Sequence, residues 1–91
     1  MTGRLTVRES LHGLPSVEMT RATPKEMALV RSAVTRNHMD DPIYRLRKDA
    51  EAFLQGFDER SGWCLVEFWT KDAARYMPFV DYLNSELECV G

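Results

Sequence analysis

Apolar and polar residues alternate singly at the start of this chain. Leu5, Val7 and Leu11 fall on one side of residues 4–11, and Thr6, Arg8 and Ser10 on the other. That is the period of a half-buried strand. His12-Gly13-Leu14-Pro15 then supplies turn chemistry, and Val17, Met19 and Arg21 alternate against Ser16, Glu18 and Thr20. The pattern predicts a returning strand and a hairpin with one apolar face.

The period changes at Thr23-Pro24-Lys25-Glu26. A threonine cap, a proline at the first helical position and a glutamate three residues after the cap form a capping box. The helix it opens carries Met27, Val30 and Val34 as its apolar stripe, flanked by Ala28 and Ala33, and frays around Asn37-His38. Asp40-Asp41-Pro42 repeats the start signal. Ile43, Leu46, Ala50, Phe53, Leu54 and Phe57 then share a side, predicting a second helix that reaches about Gly56. Its outer side offers Arg45 and Asp49, a pairing worth a few tenths of a kcal/mol.

After a polar turn over residues 58–62 comes the heptapeptide Trp63-Cys64-Leu65-Val66-Glu67-Phe68-Trp69. Read as a strand, it has Cys64, Val66 and Phe68 on one face and Trp63, Leu65, Glu67 and Trp69 on the other. Neither row is polar enough to fix which one faces the core. Thr70 or Asp72 caps a last helix in which Ala73, Met77, Val80, Leu83 and Leu87 hold one phase. Pro78 lies inside that phase, and the shared apolar side before and after it predicts a continuous, kinked helix. The bend would bring Tyr76, Phe79 and Tyr82 around the edge of the sheet as a second contact surface.

The expected order is strand, strand, helix, helix, strand, helix. This is an α+β fold with a three-stranded antiparallel sheet packed in two layers against three helices. Residues 1–91 suffice for one core and one domain. With 44% apolar and 29% charged residues the chain belongs among ordinary folded proteins. Its net charge of −2 conceals a basic first half and an acidic second half. Residues 1–48 carry nine Lys or Arg against five Asp or Glu, and residues 49–91 carry three against nine. Two cysteines without framework spacing, no apolar run of membrane length, and no apolar signal core at the start lead us to expect a cytoplasmic protein without a membrane partner.

Candidate chemistry is sparse. Glu67 between two tryptophans has the setting of a raised-pKa acid, but no second acid, base or metal ligand accompanies it. A solvent-facing pair with Arg8 or Arg21 is the plainer expectation. Cys64 sits mid-strand, where cysteines are buried and inert, while Cys89 near the end is expected to be exposed. Arg45, Arg47 and Lys48, with Arg31 and Arg36, form a basic helical region. Asp40, Asp41, Asp49 and Glu51 lie in the same neighbourhood.

Trp63, Leu65, Glu67, Trp69 and Arg8 have the composition of an interface core with a polar rim. The competing expectation is that the last helix or the N-terminal arm covers this row within the monomer. Taken together, the pattern points to a small accessory or inhibitory module, of the type found among phage and mobile-element proteins. It would occupy a larger protein's surface, or pair with itself, without catalysis, cofactor or metal. A nucleic-acid-associated regulator using the basic helical face is the alternative, and a minimal enzyme or ligand-binding domain the third.

Overall fold

The computed structural model describes residues 5–90. Seven elements follow one another: β1 (Thr6–Glu9), β2 (Pro15–Met19), α1 (Pro24–Val34), α2 (Pro42–Ala50), β3 (Ala52–Asp58), β4 (Trp63–Phe68) and α3 (Ala73–Val90). The strands form one antiparallel sheet in the order β1-β2-β4-β3. The α+β class, the antiparallel sheet and the three helices agree with the pattern of the sequence, but the sheet has four strands where three were expected.

The extra strand replaces the end of the second helix. That helix stops at Ala50 because Glu51 adopts a left-handed conformation (φ 51°, ψ 45°), its amide turning back to the carbonyls of Arg47 and Lys48. Residues 52–58 then pair with β4. Between Leu54 and Gly56 the register shifts, leaving Gln55 as an extra residue. A bulge of this kind interrupts the period of two, so Leu54 and Phe57 share the core side at helical spacing.

The start signals operate as read. Thr23 Oγ1 accepts from the Glu26 amide at 3.2 Å while Glu26 Oε1 accepts from the Thr23 amide at 2.8 Å. Asp41 accepts from the Ile43 amide at 2.9 Å, and Asp72 from the Ala74 amide at 3.0 Å. The last helix runs unbroken from Ala73 to Val90 with Pro78 inside it.

Val17 and Met19 from β2 and Cys64, Val66 and Phe68 from β4 are fully buried, and they meet Met27, Val30, Val34, Phe79, Val80 and Leu83 from the helices. The row Cys64-Val66-Phe68 therefore faces the helical layer. Val7 does not join it. All four residues of β1 are exposed, Val7 at 56% and Leu11 beyond it fully so, because this edge strand lies past the reach of the helices. Phe79 is likewise core: its ring meets Phe68 edge-on at 6.4 Å and is completely buried. It is thus no part of a contact surface, whereas Tyr76, stacked on Phe68 at 5.1 Å, and Tyr82 remain half-buried.

The tips are fixed by two glycines at positive φ, Gly13 (74°) and Gly62 (71°). A Cβ at Gly62 would run into the backbone nitrogen and oxygen of Ala22. Close approach is required there because the Ala22 amide donates to the Gly62 carbonyl at 3.0 Å.

Candidate functional site

The sheet face opposite the helices carries the tryptophan row. Register places Glu18 beside Leu65 and Ser16 beside Glu67 on one flank, and Phe53, Gly56 and Asp58 beside Glu67, Leu65 and Trp63 on the other. Arg8 follows Ser16 outward onto β1. Among the described residues no helix covers this face. A covering N-terminal arm, had it formed, would involve residues 1–4, which lie outside the described range.

Trp63 is clamped. Its indole Nε1 donates to Glu18 Oε2 at 2.6 Å, and its ring lies over Gly56, where a Cβ would strike Cη2 and Cζ3. Glu18 is held on its other oxygen by Arg8 at 2.8 Å. The indole hydrogen bond, aided by the Arg8 charge, keeps the Glu18 carboxyl below its ordinary value against the opposing effect of partial burial. Leu65 is half-buried beside this group.

Trp69 is the contrast. It is 63% exposed and stacks on Phe53 with ring centroids 5.1 Å apart. Phe53, assigned from the sequence to a helix, thus belongs to the candidate face. The bulge at Gln55 hid it, and an alternation broken by one residue was the only available signal.

Glu67 departs most from expectation. The expected solvent-facing pair with Arg8 or Arg21 does not form: Glu67 is 1% exposed, and Glu18 takes the Arg8 guanidinium. Its Oε1 accepts a long hydrogen bond from Gln55 Nε2 at 3.4 Å. Its Oε2 is buried without a hydrogen-bond partner. His12 Nδ1 stands 3.6 Å from that oxygen, an ion pair only while the imidazole is protonated.

Cys64 and His12 lie on opposite faces of the sheet, so they form no nucleophile–base pair. Burial pushes the Cys64 thiol up to about 11, with a smaller contribution from the Glu18 charge. Cys89 is exposed and free. Among the described residues no group of His, Cys, Asp and Glu is arranged to hold a metal ion, and no helix is long and apolar enough to cross a membrane.

Several basic residues of α1, α2 and their connection, where Arg36 lies, are engaged locally. Arg36 pairs with Asp41 at 2.7 Å, and Arg47 donates to the Arg36 carbonyl at 2.7 Å. Arg47 and Lys48 both sit over the Tyr44 ring, and Arg31 over Phe57. Arg45 is exposed. Arg31 meets Phe57, which points to the helical side of the sheet, away from the tryptophan row.

Comparison of the chain with protein-family models, with curated proteins and with solved structures finds no match.

Proposed function

We propose that this protein is a non-catalytic binding module whose open sheet face occupies the surface of a larger protein. One observation carries the reading: a sheet face that no helix among the described residues covers bears Phe53, Trp63, Leu65 and Trp69 together, with Trp69 mostly exposed. Such a patch has the make-up of an interface centre, where aromatic anchors dominate binding energy. The Arg8–Glu18 pair supplies a polar rim. Trp63 serves as rigid floor, since its hydrogen bond and its seat on Gly56 fix it before any partner arrives.

The test uses wild type and Trp69→Ser as baits in the same native lysate, with quantitative mass spectrometry and then reconstitution from purified components. The expected result is one protein held in fixed stoichiometry by wild type. Trp69→Ser should hold it at least ~30-fold more weakly, the equivalent of a ~2 kcal/mol anchor, at nearly unchanged melting temperature. Equal capture by both baits, or no protein held by wild type, would defeat the proposal.

A further inference from the structure

We propose that Glu67 is the socket for an arginine side chain of the partner, with the guanidinium seated against the Phe53–Trp69 ring pair. This rests on the open face being the binding surface.

Four observations converge on the socket. Glu67 is almost wholly buried while its Oε2 accepts no hydrogen bond, a costly state for a carboxylate. The side chains that register places nearest do not relieve it. Ser16 spends its hydroxyl on the Arg8 carbonyl at 3.0 Å, Arg8 is committed to Glu18, and Phe53 has nothing to donate. Gln55 reaches only Oε1, at 3.4 Å.

The third observation is the ring pair. Phe53 stands directly across from Glu67 in the ladder, and Trp69, two residues after Glu67 and just past the end of β4, stacks on it. A cation drawn to the carboxylate therefore arrives beside exposed aromatic surface. A planar guanidinium can donate in parallel to a carboxylate and lie on a ring at once, which an ammonium cannot do. That geometry selects arginine over lysine.

The fourth is the way in. His12 is the side chain standing over Oε2, at 3.6 Å and with 63% of its own side chain in solvent. It sits at the hairpin tip between Ser10 and Leu14, next to Gly13. An imidazole held by one loose contact can swing outward and yield its place to a stronger donor.

The experiment follows the two indole Nε1–H resonances by NMR while acetyl-Gly-Arg-Gly-amide is added to the whole protein. The same peptide with citrulline, equal in shape and uncharged, is the control. The expected result is a saturable shift of the Trp69 signal, with a Kd on the order of 1–10 mM for so small a probe. The Trp63 signal should hardly move, citrulline should bind at least ~10-fold more weakly, and Glu67→Gln should erase the difference between the peptides. Indistinguishable arginine and citrulline titrations would overturn the proposal, as would no response to arginine. So would shifts that follow protein concentration alone, because a second copy would then be the occupant. Should Glu67→Gln fail to fold, the two peptides on wild type and on Trp69→Ala still decide, since the arginine preference must weaken when the ring is removed. If the peptides show no preference while Trp69→Ser still loses the captured protein, the socket falls and the binding face stands. If both tests fail, both readings fall.

Discussion

Adding one methyl group at Gly56 tests whether Trp63 is a fixed strut. The new Cβ would overlap two aromatic carbons of the Trp63 ring, so the indole must move, and its charge-assisted hydrogen bond to Glu18 at 2.6 Å stretches or breaks. Overpacking of this kind costs ~1–3 kcal/mol, and a hydrogen bond to a charged group is worth ~1.5–3 kcal/mol. Against these stands a gain of ~0.5 kcal/mol from the stiffer unfolded chain. Because the indole moves aside and its hydrogen bond is stretched and not wholly lost, the low ends of these ranges apply, and Gly56→Ala is expected to lose about 2 kcal/mol. At ~2.1 cal/mol/K per residue, 91 residues turn that loss into a melting temperature lower by ~10 °C.

The cause is isolated by a double-mutant cycle. In a Trp63→Ala background there is no ring to displace, and Gly56→Ala should become neutral or slightly stabilising. Urea unfolding of the four proteins measures the coupling, expected near 2 kcal/mol. If Gly56→Ala costs the same in both backgrounds, the ring does not rest on Gly56 and the strut argument is wrong.

Three further outcomes are expected. With Ellman's reagent at pH 8, one thiol per chain should react quickly and vanish in Cys89→Ser, while buried Cys64, its thiol pushed up to about 11, should react only in urea. Glu18, depressed below its ordinary value by the Trp63 indole, contributes stability that is complete above the unfolded value and lost as pH falls through the folded one. Unfolding midpoints should therefore decline below about pH 4.5, and Glu18→Gln should flatten that decline; an unchanged acid limb would contradict it. Pro78 is exposed inside α3, so Pro78→Ala should restore an amide donor to the Ala74 carbonyl and raise stability by up to ~3 kcal/mol in thermal unfolding.

What the sequence disclosed depended on whether chemistry or periodicity carried the signal. Caps are local chemistry, and those at Thr23, Asp41 and Asp72 operate in the fold as read. Periodicity served wherever a single rule ran undisturbed, as in the buried row Cys64-Val66-Phe68. It failed over residues 50–57, where a bulge at Gln55 made strand spacing imitate helix spacing and a left-handed Glu51 ended a helix without the usual glycine. The site was half legible for a related reason. Alternation placed Trp63, Leu65, Glu67 and Trp69 on one face, but whether each is clamped, buried or free depends on neighbours from β2, β3 and the hairpin tip. Those partners are set by register, which one strand alone does not reveal. Phe53 entered the face only with β3, and the orphaned oxygen of Glu67 became visible only once Glu18 was seen to hold Arg8.

The pairing of β2 with β4 has a consequence for how the chain can be divided. Each half closes its own hairpin, β1 with β2 and β3 with β4, so the sheet's hydrogen bonds pass between the halves at a single seam. The Ala22–Gly62 main-chain bond is set at the end of that seam. The connection between α1 and α2 crosses an exposed turn over residues 37–40. Opened after His38, the polypeptide becomes two pieces of opposite charge, six Lys or Arg against three Asp or Glu in the first and six against eleven in the second. Each piece keeps a hairpin and at least one helix, and their mutual attraction favours reunion along one ladder. Fragment complementation, with the halves expressed separately, should therefore reassemble the tryptophan face only where both are present.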